Sequence, residues 1–138
     1  MTAKDIFHDA VKRAMEKDGW VVTDDPLFIR SLGMEFYIDL AAERIIGLEK
    51  RGRKIAVEIK SFIAASAISE FHKTVGQFMN YRLALKNQEP DRTLYLAIPK
   101  DTRESFFRIP FVQSAIQEYE MQIIVYDPEN EVILECPI

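Results

Sequence analysis

The segment Lys54-Ile55-Ala56-Val57-Glu58-Ile59-Lys60 (KIAVEIK, 54–60) decides the reading of this chain. A β-strand repeats every two residues, so Ile55, Val57 and Ile59 share one face and Ala56, Glu58 and Lys60 the other. An acid and a base are thus neighbours on one side of an apolar strand. Upstream, EFYIDLAAE (35–43) carries Asp39 in a second apolar frame, and residues 34–41 read as a strand. There Phe36, Ile38 and Leu40 fall on one face, Tyr37 and Asp39 on the other. With the two strands close in one sheet, Asp39 and Glu58 converge on a single cation with Lys60 beside it.

That trio has a chemical logic. Hydrolysing a phosphodiester requires neutralising the phosphate and making a water nucleophilic. Two carboxylates holding Mg²⁺, or Mn²⁺ in its place, serve the first need and assist the second. A lysine two residues along can orient the water or stabilise the transition state. Taken alone, Glu-x-Lys is a weak signal, because a charged pair on a solvated strand face is common and contributes under ~1 kcal/mol. For Asp39 the plain alternative is a strand-end carboxylate held by backbone donors or by Arg44.

Length, charge and cysteine content bound the rest. A chain of 138 residues fits one domain over 1–138 with a real core. The single cysteine, Cys136, excludes an internal disulfide and a cysteine-based metal cluster. The N-terminus has charges where a signal sequence needs an apolar core, and no stretch reaches the length of a membrane span, so a cytoplasmic protein with no membrane partner is expected. A net charge of −4 argues against a general nucleic-acid-binding surface. The basic run Lys50-Arg51-Gly52-Arg53-Lys54 reads as a solvated hairpin tip.

Around the decisive strand the elements fall into an α/β order. Residues 3–18 read as a helix with Ile6, Ala10, Val11 and Ala14 as its apolar stripe and Gly19 as its C-cap. Residues 20–25 read as a short strand ending in an Asp25-Pro26 turn. Residues 44–50 and 54–60 read as a hairpin about Arg51-Gly52-Arg53. The strongest helix is 66–88, with Ile68, Phe71, Val75 and Phe78 at the spacing of a buried face, Ser66 or Ser69 as its cap, and Glu89-Pro90 as its end. Glu70, Thr74, Gln77 and Tyr81 form a polar stripe beside that face. Residues 92–99 read as a central strand, 101–120 as a helix broken at Pro110, and 122–127 with 131–136 as a closing strand pair. The expected order is αβββαβαββ, one mixed sheet flanked by helices. Phe71, Phe78, Phe106, Phe107 and Phe111 are expected in the core, and His8 and His72 as ordinary helix residues.

Asp39, the Glu58-Ile59-Lys60 strand and the helix that follows together resemble the PD-(D/E)xK nuclease superfamily, with its restriction-endonuclease-like fold, over about residues 3–100. Ile38 stands where the motif's name has proline. Gln77-Phe-Met-Asn-Tyr81 looks like the Gln-x-x-x-Tyr element of some branches. The resemblance implies catalytic roles for Asp39, Glu58, Lys60, Gln77 and Tyr81, with Asp39 and Glu58 as metal ligands. Many members carry a glutamate on the first helix that completes the metal site. Here that stretch has His8 and Asp9, with Asp5 a turn earlier and no glutamate before Glu16.

Longer segments narrow the resemblance. AKDIFHDAVKRAMEKDGW, FYIDLAAE, KIAVEIKSF, GQFMNYRLAL, EPDRTLYLAIP and VYDPENEVI are together similar to the XisH family, the cyanobacterial fdxN-element excision controlling factors, over essentially the whole chain. That family implies support of a site-specific DNA excision during heterocyst development, beside a recombinase and a companion small protein, XisI. Three functions follow as expectations: an excision factor working through such a partner, a metal-dependent DNA endonuclease, or an interaction module without catalysis. DNA would be met directly or through the partner. A homodimer is expected, because small nuclease-like domains often need a second copy to span a duplex.

Overall fold

The computed structural model describes residues 4–46, 51–63 and 65–136. Its elements are α1 (His8–Lys17), β1 (Val21–Asp24), β2 (Leu27–Ser31), β3 (Met34–Ile38), β4 (Leu40–Ile46), β5 (Arg51–Ile59), α2 (Ala67–Gln88), β6 (Arg92–Pro99), α3 (Lys100–Glu104), a 3-10 turn at Phe106–Arg108, α4 (Pro110–Glu118), β7 (Gln122–Asp127) and β8 (Val132–Glu135). Six strands form one mixed sheet in the order β1-β4-β5-β6-β7-β8, and β2 and β3 form a separate two-stranded ribbon. β5, β6 and β7 run parallel, which requires the α2 and α3–α4 crossovers between them. The α/β class with a mixed sheet between helices is therefore the observed one.

Strand alternation builds two cores. On β6, Leu94, Leu96 and Ile98 pack with Phe71, Phe78 and Leu85 of α2 and Val112 and Ala115 of α4. Tyr95 and Ala97 face the other way, towards Val11 and Met15 of α1 and Trp20. β6 is buried on both faces, which is why its sequence is a continuous apolar run. Gly19, at φ 95°, ends α1 in the left-handed region as a C-cap glycine should.

Several expectations need correction. Five strands precede α2 among the described residues, against the three of the expected order and the four segments read as strands, 20–25, 34–41, 44–50 and 54–60. The strand with no expected counterpart is β2, which pairs with β3 where the chain folds back at Leu32-Gly33 into a ribbon. Its outward face carries Phe28 as well as Arg30, which hides the apolar alternation of Leu27 and Ile29. Asp39 is not inside a strand: β3 ends at Ile38 and β4 starts at Leu40 in the other sheet. Gly52 and Arg53 are not a turn but pair with Ile45 and Arg44, while residues 47–50, with Lys50 of the basic run, lie outside the described residues. Ile6 and Ile68 are exposed rather than buried, as is Phe111 beside the Pro110 helix start. Ser66 stands at the α2 N-cap position without a side-chain cap bond.

The ribbon's turn strains one residue. Leu32 (φ 48°) and Gly33 (φ 86°) both lie in the left-handed region, the pattern of a two-residue hairpin turn that favours Asn-Gly. Leu32→Asn should raise the melting temperature by about 3 °C, corresponding to about 1 kcal/mol of relieved backbone cost. Differential scanning calorimetry checks it, and an unchanged or lower Tm contradicts it.

Candidate functional site

The site is built where β4 leaves β5. The antiparallel register pairs Leu40 with Val57, so a continuing strand would set Ile38 opposite Ile59. Ile38 instead pairs with Leu27 in the ribbon. The edge amides of β5 beyond that point lose their strand partner, and a buried unpaired N–H costs about 1–3 kcal/mol. Two carboxylates take the place of the strand. The Ile59 amide donates to Asp39 Oδ2 at 2.7 Å, and the Ser61 amide to Asp5 Oδ2 at 3.0 Å. In return the Asp39 amide donates to Glu58 Oε1 at 3.3 Å. Between them the Lys60 amide points the opposite way, donating to Ala97 O of β6 at 3.1 Å. Lys60 is thus fixed at the end of β5 with an acid-bound amide on either side.

These residues line a cavity of about 170 Å³ together with residues of α2. Its walls are Asp5, Asp39, Glu58, Ile59, Lys60, Glu70, Gln77 and Tyr81. All five residues expected from the sequence, Asp39, Glu58, Lys60, Gln77 and Tyr81, share this one space. The helical spacing of Glu70, Gln77 and Tyr81 presents them on one face of α2, as the polar stripe predicts. Tyr81 is steadied by Phe36 of the ribbon, edge-on at 6.0 Å between ring centroids. Gln77 Oε1 is buried with no hydrogen-bond partner. A larger hollow of about 1100 Å³ lies elsewhere, between the C-terminal half of α2, α4 and the starts of β6 and β7. Its arginines serve the fold: Arg82 binds the Tyr119 and Glu120 carbonyls, and Arg92 the Ile55 carbonyl and Glu89.

The first-helix candidates do not reach the cavity. His8 is buried against Asp25 at 2.7 Å, and Asp9 is exposed. Asp5, in the turn before α1, supplies the acid from that region, and Glu70 adds another. Both are noted in sequence, Asp5 in the first-helix stretch and Glu70 on the polar stripe, but neither is assigned there to the site. Arg44, a rival partner for Asp39, instead binds Asp18 and covers the Trp20 ring. Glu58 is no surface ion pair, being only 5% exposed. Burial pushes its carboxyl up to about 9. The Asp39 charge and the hydrogen bond a protonated Glu58 gives Asp39 push the same way, and Lys60 pulls against them. The Tyr81 phenol rises to about 12 through burial and then the Glu58 and Asp39 charges, so it is a hydrogen-bond donor at neutral pH.

The donor set fits a hard cation. Asp39, Glu58 and the unpartnered Gln77 Oε1 are all oxygens, and Mg²⁺ commonly takes one or two carboxylates and keeps several waters. Among the described residues no three His, Cys, Asp or Glu side chains converge as a ready-made metal cage, so waters and substrate would complete the shell. Four acids face one lysine here, and a phosphodiester needs that excess offset.

Comparison with known proteins settles the kinship. The family model "XisH protein" matches residues 1–134. The chain belongs to the XisH family. Two crystal structures are close to this XisH chain. An XisH family protein from Nostoc punctiforme PCC 73102 shares 47% identity at a TM-score of 0.88, over 97% of this chain and 100% of that one. An fdxN element excision controlling factor protein from Anabaena variabilis shares 50% identity at a TM-score of 0.88, over 96% and 98%. No curated protein matches. No helix among the described residues of this XisH chain is long and apolar enough to cross a membrane.

Glu58 makes stability depend on pH with a definite sign. Its folded pKa lies above the unfolded value of 4.5, so the protonated form is favoured by folding, and stability is lost as pH rises from about 4.5 towards about 9. Glu58→Gln, which cannot ionise, escapes that loss. The Tm of the variant minus that of the wild type should grow by roughly 12 °C between pH 5 and pH 8, from about 4 kcal/mol of linked stability. A gap that stays constant over this range contradicts a buried, proton-holding Glu58.

Proposed function

We propose that this chain acts as an excision controlling factor of the fdxN-element type, supporting site-specific DNA rearrangement on a PD-(D/E)xK nuclease-type fold. The observation that carries the reading is the meeting of Asp39, Glu58, Lys60, Gln77 and Tyr81 in one small polar cavity at the end of a buried strand. The kinship to a fdxN element excision controlling factor protein at 50% identity supports the biological half. The arrangement of acids, lysine and helix supports the chemical half.

Mg²⁺, or Mn²⁺ as its substitute, would be held by Asp39 and Glu58 and would supply charge neutralisation and polarisation of a phosphodiester. The chain's own groups do the rest. Lys60, held by its amide on β6 and flanked by acid-bound amides, presents an ammonium to the phosphate or the attacking water. Tyr81 donates a hydrogen bond to a developing oxyanion, and Gln77 Oε1 accepts from a water in the cavity. Glu58 must release its proton for a cation to bind.

The acidic balance of the chain favours work in company. A companion XisI-type protein, or a second copy in a homodimer, would bring the positive surface that DNA needs, in the cytoplasm where the DNA is. Direct endonuclease action by the chain alone is the second reading, favoured by the complete acid–acid–lysine trio. An interaction module in which the trio does no chemistry is the third.

Calorimetric titration with Mn²⁺ at pH 7 is expected to give saturable binding with release of close to one proton per site, read from the heats in buffers of different ionisation enthalpy. The Asp39→Asn, Glu58→Gln double variant should lose the binding and any nicking of supercoiled DNA, while keeping its capture of an XisI-type partner. Absence of saturable binding by the wild type refutes metal-dependent chemistry by the isolated chain.

A further inference from the structure

Past Glu58, the end of β5 is anchored alternately from its two sides. Asp39 and Asp5 accept the Ile59 and Ser61 amides on the β4 edge, and Ala97 O accepts the Lys60 amide on the β6 edge. In a parallel ladder the next donor would be residue 99, two beyond Ala97, reaching the Lys60 carbonyl. Residue 99 is a proline, which has no N–H, and β6 ends there. A side chain takes over as donor. Thr102 Oγ1 of α3 donates to the Ser61 carbonyl, and both residues are buried.

We infer that Thr102 is a positioning residue for the cavity: through Ser61 it fixes the stretch of chain that carries the Lys60 ammonium and the amide bound to Asp5. This rests on the reading of Lys60 as the group that meets the phosphate or the attacking water, and it names what aims that group.

A lysine side chain has about 2 kcal/mol of rotamer entropy, so a directed ammonium needs a fixed root. Here the root is fixed from three directions. The first is α3, five residues long with Thr102 as its one buried residue. Lys100 pairs with Asp127 of β7 and Arg103 with Glu135 of β8, each at 3.5 Å, so the threonine stands on a helix tied to the sheet. The second is Asp5, whose Oδ1 accepts the Phe7 amide at 2.9 Å while its Oδ2 accepts that of Ser61. The third is Phe62, left-handed at φ 54°, a conformation that costs about 1–2 kcal/mol for a residue with a Cβ. Its ring lies against Phe106 and Phe107, with centroids 5.7 and 5.3 Å away. A chain that only had to leave the sheet would do so more easily with glycine at position 62. A buried hydroxyl and a strained backbone on the two residues after Lys60 instead over-determine one path, as a working segment requires.

The test compares Thr102→Val, which keeps the shape and loses the donor, with Thr102→Ser, which keeps the donor. The readout is the NMR order parameter at Lys60 Cε in EDTA, beside those of the exposed Lys54 and Lys73. In the wild type Lys60 should be more ordered than either. Thr102→Val should bring Lys60 down to the exposed values and speed Ser61 amide exchange by roughly tenfold, with Ile59, held by Asp39, within about twofold. Thr102→Ser should restore both. Thr102→Cys, whose thiol is a weak donor, covers the case where the valine variant folds poorly, and should leave Lys60 less ordered than in the serine variant. No metal or DNA enters the measurement, so its failure and a failure of Mn²⁺ binding are told apart. A lower Tm with Lys60 order unchanged, a wild-type Lys60 as mobile as Lys54, or a serine variant that behaves like valine would each overturn the proposal.

Discussion

The hydrogen bond from the Ile59 amide to the Asp39 carboxylate is the contact on which the rest of the structure turns. β5 runs two residues past its last pairing with β4, and the chain before β4 has swung into a separate ribbon. An open edge inside a protein demands acceptors. Asp39 and Asp5 provide them as side chains, and so one act of folding satisfies the backbone and gathers acids around Glu58 and Lys60. Had β3 continued beside β5, its carbonyls would have filled that edge and left no cavity.

This explains an otherwise costly arrangement. Burial, and after it the neighbouring Asp39 charge, leaves a Glu58 that keeps its proton to about pH 9. A purely structural strand end would be better served by a serine or an asparagine. The buried Gln77 Oε1 without a partner has the same character, a local cost in the same cavity. Local costs clustered about one cavity are what a working site leaves in a fold.

Much of this was legible in the residues. The alternation of 54–60 placed Glu58 and Lys60 on one side of β5, and helical spacing put Gln77 and Tyr81 on one face of α2, because both periods are local geometry. The 92–99 strand was plain from its apolar run. The ribbon was not, since Phe28 on its outer face breaks the alternation, and Asp39 was read within a strand because Ile38 and Leu40 alternate correctly across a bend. Asp5 and Glu70, though noted on the first helix and the polar stripe, were not assigned to the site for a different reason. Their place in the cavity depends on how α1 and α2 meet the end of β5, a tertiary fact that no local pattern carries.

The most direct test of the account is amide hydrogen exchange at Ile59, Lys60 and Ser61, followed by NMR in the wild type and in Asp39→Ala. The account predicts that the Ile59 amide, though no strand carbonyl accepts from it, is protected in the wild type as well as that of Lys60, which binds Ala97 O. Asp39→Ala should cut the Ile59 protection by tenfold or more while leaving Lys60 within about twofold. Fast exchange at Ile59 in the wild type, or equal protection in both proteins, would contradict a carboxylate standing in for the missing strand.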